Sequence, residues 1–294
     1  MRLVHFDGTR LGVITDDGLK DVTHALSVLP PEAWPPAPGD RLISSLSEIL
    51  AAVRQHLADA QVVDSAGVFF GSFITSPSKV MAAPANYRKH LELDLKDPGV
   101  DQGVHTKSLE GVQRPVETYG LFLKATSSIV RTGSDISLAL ADRRTDHEIE
   151  LCVVIGRTAR NVPVADAMDY VAGYMLGLDL TVRGVEDRSF RKSADGYTVL
   201  GPEFVTADEV ADPGAIEFWL SVNGNERQRS LAGAMTVSIP ELISFASSFY
   251  TLHPGDVIMT GTPEGVGPLQ AGDDIVYGGT GLGQGKVRIS TVSP

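Results

Sequence analysis

Short blocks of Val, Ile and Leu alternate along most of this chain with turns of Gly, Pro, Asp and Asn, a spacing that predicts a β-rich fold with a few helices. At the start, M-R-L-V-H-F-D-G-T-R-L-G-V reads as two strands joined by a hairpin turn at Asp7 and Gly8. A Pro-rich loop follows over 29–38, and a Leu-, Ile- and Ala-rich stretch over 46–57 predicts a helix that Ser44 or Ser45 would cap. These pieces make a small N-terminal α+β unit, residues 1–75. A larger unit, 76–294, carries apolar strand segments at 80–83, 151–155 and 257–259. Two helices are expected within it: 165–172, introduced by Pro163, and 239–248, begun near Pro240, where proline is tolerated in a first turn. Residues 94–117 are charged, contain Gly and Pro and lack periodicity, which predicts a lid or binding loop.

Polar residues at the strand ends carry the chemistry. The stretch D-H-E-I-E-L-C-V-V-I-G, 146–156, sets Glu148 and Glu150 directly before the apolar run 151–155. Side chains two apart on a strand share a face, so these carboxylates sit side by side where the strand enters the interior. Like charges that close repel and desolvate poorly unless something positive joins them. A third acid, Asp179, lies in another apolar run, Y-V-A-G-Y-M-L-G-L-D-L-T, and a buried Asp needs a partner or a ligand. Three acids from two strands form a hard, oxygen-only set suited to Mg2+ or Mn2+. Zinc fits poorly, because Leu151 stands where H-E-x-x-H requires its second His.

Three further segments add candidates. In N-Y-R-K-H-L-E-L-D, 86–94, His90 is a base able to take a proton from water near neutral pH, with Glu92 or Asp94 to orient its ring. R-S-F-R-K-S-A-D-G-Y contributes Lys192, a cation for a substrate carboxylate or enolate oxygen. An exposed His and a solvated Lys are the plainer alternatives for these two segments taken singly. After 257–259 the chain turns at Gly261, Thr262 and Pro263, able to present backbone N–H groups and a hydroxyl to an anion. Neither that turn nor G-G-T-G-L-G-Q-G-K is a nucleotide loop: the latter has Thr280 and Val287 where the Walker spacing requires Gly and Ser or Thr.

Composition narrows the field. A formal net charge of -12, with no Lys/Arg-rich run, argues against nucleic acid as a partner. The single cysteine, Cys152, falls inside an apolar strand, which excludes an intrachain disulfide framework and suits core packing in a reducing compartment. The N-terminus lacks the apolar core of a signal peptide, and no run approaches the roughly 18 apolar residues of a membrane span, so a cytoplasmic protein without membrane contact is expected.

Taken together, F-L-K at 122–124, H-E-I-E-L, the Asp179 run, the Lys192 segment, L-G-P at 200–202 and G-D-V-I-M-T-G-T-P-E-G-V-G resemble the fumarylacetoacetate hydrolase family in order and spacing, from about residue 78 onward. The resemblance implies an α+β, mostly β fold with a mixed β-roll catalytic domain, and a homodimer. It implies Mg2+ or Mn2+ held by Glu148, Glu150 and Asp179, a lid dyad based on His90, the family's lysine at Lys192, and a substrate side that includes Arg183, Gly261 and Thr262. The dyad acid usually stands three residues after the His, where this chain has Leu93, which leaves Glu92 and Asp94. Gly184 and Glu186 replace a common acid and Gln, and K-S-A-D and L-G-P-E depart from K-S-F-D and L-G-P-W. The implied reaction is hydrolysis of a C–C bond in a small-molecule oxo acid of the acylpyruvate or fumarylpyruvate type through a metal-stabilised enolate. Isomerisation or decarboxylation of a 2-oxo-ene-dioate, or decarboxylation of oxaloacetate, would draw on the same chemistry. A binding protein that kept the fold and lost its chemistry is the rival of another class.

Overall fold

The computed structural model describes residues 1–94, 112–140 and 142–290. The lid expected over 94–117 thus lies mostly outside the described residues, apart from a short helix, Pro115–Tyr119.

Among the described residues, the largest sheet has twelve strands. Its main path runs Val62–Val63, Gly18–Asp21, Arg10–Thr15, Arg2–Phe6, Glu203–Thr206, Val171–Asp179, Ile149–Ile155, Val257–Met259, Val80–Ala82 and Phe122–Lys124. The strands of the N-terminal unit therefore continue the catalytic sheet, through antiparallel pairing of Arg2–Phe6 with Glu203–Thr206. The hairpin turn forms where expected, with Asp7 and Gly8 both at positive φ, 46° and 82°. The chain is α+β and mostly β, as the motifs imply, and its sheets mix parallel and antiparallel pairs.

The unbroken apolar run at 151–155 has a simple cause: the strand is buried on both faces. Ile149, Leu151, Val153 and Ile155 enter one hydrophobic cluster. Cys152 and Val154 point the other way, into a cluster shared with Leu3, Val13, Ile49 and Val53 of the N-terminal unit. Cys152 is thus a core residue, as expected.

Helix ends depart from expectation in two places. Ser45 stands at the N-terminus of Leu46–His56 but makes no side-chain cap bond. The capping chemistry belongs to Asp40, whose carboxylate accepts from the N–H groups of Leu42 and Ile43 at the start of a separate turn, Arg41–Ser44. The stretch 165–172 is not an α-helix: Val164–Tyr170 is a 3-10 helix, and strand begins at Val171 because that residue pairs with Ile155. Pairing with the sheet overrides local helical pattern there. Ile239–Phe249 forms as expected, with Pro240 in its first turn. No helix among the described residues is long and apolar enough to cross a membrane.

Candidate metal centre

Antiparallel pairing brings the acids together. Ile149 lies opposite Leu178 and Glu150 opposite Gly177, so the beginning of one central strand meets the end of the other. Glu148, Glu150 and Asp179 each offer a carboxylate oxygen, and these oxygens lie within 4.8 Å of one another. All three residues are buried, at 4%, 1% and 0% exposure.

Cations from three segments join them. The Lys192 ammonium donates to Glu148 Oε2 and Asp179 Oδ2, each at 2.7 Å, and to Thr181 Oγ1 at 2.6 Å. An ammonium has three donors, so all of Lys192's are taken. Arg183 donates through Nη2 to Glu148 Oε1 at 2.9 Å and through Nε to Asp146 Oδ2 at 2.8 Å, and Arg144 also pairs with Asp146. The third cation is Lys124, whose side chain is fully buried. It donates to Asp179 Oδ1 at 2.5 Å, to the Tyr197 carbonyl at 3.2 Å and to the Lys192 carbonyl. Sequence reading noticed F-L-K only as part of a motif; a lone Lys at a strand end gives no sign of which acid it will meet.

These contacts divide the carboxylates. Burial opposes ionisation of Glu148, but Lys192, Arg183 and His90 outweigh it and hold its carboxyl below the usual range. Glu150 is pushed well up, first by burial and then by repulsion from Asp179. Among the described residues it forms no ion pair, and its contact is the backbone N–H of Gly261, at 2.6 Å. A buried carboxylate without a cation, flanked by two more hard oxygen donors, is where a divalent ion fits. The cluster has the donor set and spacing that could hold a divalent ion.

The turn after Val257–Met259 is built around the same acid. Gly261 has φ +99°, and a Cβ there would lie 2.7 Å from Asn86 Cβ, so only glycine serves. Its N–H is expected to face an anion, and the group it meets within the protein is the Glu150 carboxyl. Asn86 uses its whole amide to hold this turn: Nδ2 donates to the carbonyls of Thr260 and Val237, and Oδ1 accepts from Val237 N–H and the Thr236 hydroxyl. Thr262 Oγ1 accepts from Gln228 Nε2 at 2.8 Å, while Gln228 Oε1 accepts from Ile149 N–H at 3.1 Å. Gln228 thereby ties the Thr262 turn to the strand of Glu150. Sequence reading missed both amides; Gln228 sits in the polar strand Asn225–Leu231, where only tertiary packing buries it.

His90 lies on the helix Arg88–Asp94, buried at 5% exposure and near enough to Glu148 to influence its carboxyl. Glu92 is exposed, and the side chain of Asp94 lies outside the described residues.

The family described as fumarylacetoacetate (FAA) hydrolase C-terminal matches residues 79–290. The chain belongs to the fumarylacetoacetate hydrolase family. One relative in this family, the maleylpyruvate hydrolase of Aquipseudomonas alcaligenes, is 46% identical over 292 residues, covering 99% of this chain and 100% of that protein. The crystal structure of maleylpyruvate hydrolase from Sphingobium sp. SYK-6, in complex with manganese(II) ion and pyruvate, superposes over the full length of both chains with a TM-score of 0.82 at 35% identity. A partial likeness connects the chain to the mitochondrial oxaloacetate tautomerase FAHD1 of Homo sapiens, 43% identical over 55% of this chain and 76% of that protein.

Proposed function

We propose that this chain is a divalent-metal-dependent hydrolase that cleaves a C–C bond in a 2,4-dioxo acid of the acylpyruvate type. The observation that carries the reading is the buried cluster of Glu148, Glu150 and Asp179, with Glu150 lacking a cation of its own among the described residues. Glu148, Glu150 and Asp179 would hold Mg2+ or Mn2+, which would supply Lewis acidity toward the oxygens of a 2-oxo acid.

The chain's own residues do the rest. Lys124, Lys192 and Arg183 fix the carboxylates before substrate arrives, so no reorganisation is needed during reaction. Lys192 acts here by positioning, since its donors are engaged. His90 takes a proton from water, with Glu92 or Asp94 as its orienting acid, and the water oxygen attacks the C4 carbonyl. The C3–C4 bond breaks, its electron pair passes to C3, and protonation at C3 gives a 2-oxo acid and a carboxylic acid. Thr262, held by Gln228, contacts substrate oxygen, while Arg183 and Gly261 fix Glu148 and Glu150 at its border.

Enolate chemistry also serves tautomerases and isomerases. Hydrolysis is preferred because the maleylpyruvate hydrolases match this chain from end to end at 46% and 35% identity, whereas the tautomerase matches 55% of it and the 5-carboxymethyl-2-hydroxymuconate delta-isomerase of Mycobacterium smegmatis, which also spans it, is 29% identical. The test is to supply acylpyruvates, oxaloacetate and a 2-oxo-ene-dioate with Mg2+, Mn2+ or EDTA. The expected result is equimolar pyruvate and acid from an acylpyruvate, abolished by EDTA. Turnover of oxaloacetate or the ene-dioate alone would replace the hydrolase with a tautomerase, decarboxylase or isomerase. The working unit is read as a cytoplasmic homodimer, and light scattering of the purified protein checks its mass.

A further inference from the structure

Resting on the hydrolase reading, this inference concerns the arginines of the segment that carries Lys192. Three of the site-side arginines are spent within the protein. Arg183 serves Asp146 and Glu148, Arg191 donates to the carbonyls of Glu186 and Val182, and Arg143 forms a fork on Glu186. Arg188 is different. It is half-buried, yet among the described residues its guanidinium has no hydrogen-bond acceptor and no ion-pair partner; its contact is the ring of Tyr119, 5.6 Å from the guanidinium carbon to the ring centroid. The neighbouring Asp187 is the first of the charges acting on Arg188 but makes no ion pair with it; its Oδ1 caps the helical turn Arg188–Arg191 by accepting from Ser189 N–H at 2.8 Å.

Arg188 precedes Lys192 by four residues across that turn, so the two side chains leave from one side of it, and Lys192 reaches the metal-site carboxylates. The charges that Arg188 feels are Asp187, Tyr119 and, after them, Glu148, so its head lies within Coulomb range of the carboxylate cluster. Burial draws the guanidinium partly out of water, an expense that an anion from outside the chain offsets. A guanidinium fork matches a carboxylate with two parallel hydrogen bonds, and the contact with the Tyr119 ring restrains the head beforehand.

We infer that Arg188 binds a second, terminal carboxylate on the acyl arm of the substrate, so that the site selects dicarboxylic oxo acids over neutral acylpyruvates. The experiment compares kcat/KM for maleylpyruvate or fumarylpyruvate with that for acetylpyruvate in wild type, R188K and R188Q loaded with Mn2+. The ratio of dicarboxylic to neutral substrate is expected to fall about 10- to 100-fold in R188Q, mostly through KM, with R188K between the two because it keeps the charge and loses the fork. Calorimetric binding of maleate reads the same contact without turnover and is expected to weaken in parallel. A ratio and a maleate affinity unchanged in both variants would overturn the inference and leave the hydrolase reading intact. Wild-type protein that hydrolyses none of the three compounds overturns the hydrolase reading and this inference with it.

Discussion

At the carboxylate cluster, Lys192 lies 2.7 Å from both Glu148 and Asp179, with all three side chains at most 7% exposed. On the hairpin of Glu217–Val222 and Asn225–Leu231, Arg229 lies 2.5 Å from Glu226 and contacts Glu217 as well, with side chains 43–49% exposed. The distances barely differ, yet water surrounds the second group and not the first. An exposed pair exchanges one set of hydrogen bonds for another and is screened by salt. A buried charge stripped of its partner keeps its full desolvation cost. Contact geometry alone therefore says little about what an ion pair contributes, and exposure decides it.

The same contrast appears within the site. Lys192, facing Asp179 and Glu148, is held charged more firmly than an ordinary lysine despite its burial. Lys124 touches Asp179 but not Glu148, and burial wins, pushing its ammonium down. Glu150, touching neither lysine, is pushed up.

The contrast is broken or sharpened by four changes. The largest effect is expected from Glu150→Gln. Loss of one metal-binding carboxylate should abolish calorimetric Mn2+ binding and lower turnover on the order of 10³-fold. In EDTA the same variant should unfold no earlier than wild type, because the amide replaces a buried carboxyl that no cation contacts among the described residues; a large loss of stability would mean that Glu150 is paired after all. Next comes Lys124→Met, which leaves Asp179 short of a partner inside the protein. Because Asp179 keeps Lys192, the cost in a denaturant titration should be about 1–3 kcal/mol, and a loss below about 0.5 kcal/mol would show that water reaches this corner.

A smaller, pH-dependent effect belongs to Glu241, which accepts from the N–H and hydroxyl of Ser238 at the start of Ile239–Phe249 and pairs with Arg114. Those bonds hold its carboxyl down at about 2, against an ordinary 4.5. A depressed folded value means that the stabilisation is fully present above pH 4.5 and disappears as pH falls through about 2. Wild type and Glu241→Gln should therefore differ in thermal stability at neutral pH and converge in acid. Smallest of all is Arg229→Ala, expected to change stability by less than about 0.5 kcal/mol, and by less still in high salt.

Much of the site was legible in the chain because its acids interrupt apolar runs, and a carboxylate in such a place needs an explanation. Glu148, Glu150 and Asp179 stand out for that reason, and Gly261 does so as a glycine two residues after a strand. Lys124, Asp146, Asn86 and Gln228 do not. Each stands at a strand end, in a turn or on a polar strand where its type is ordinary, and each takes its importance from a partner far along the chain: Lys124 from Asp179, 55 residues away, and Gln228 from Ile149, 79 away. The 165–172 stretch was misread for a related reason, since its helical look was local and the pairing that converts Val171 to strand was not.

Strand cores, hairpin turns and the presence of buried acids follow from this amino-acid order alone, because period-two burial and the backbone freedom of glycine act over a few residues. Which cation meets which acid, which carboxylate is left to an ion, and which arginine keeps its charge free among the described residues were decided only when distant strands paired, since Coulomb energy and desolvation depend on separation in space and on access to water, neither of which the order of residues contains.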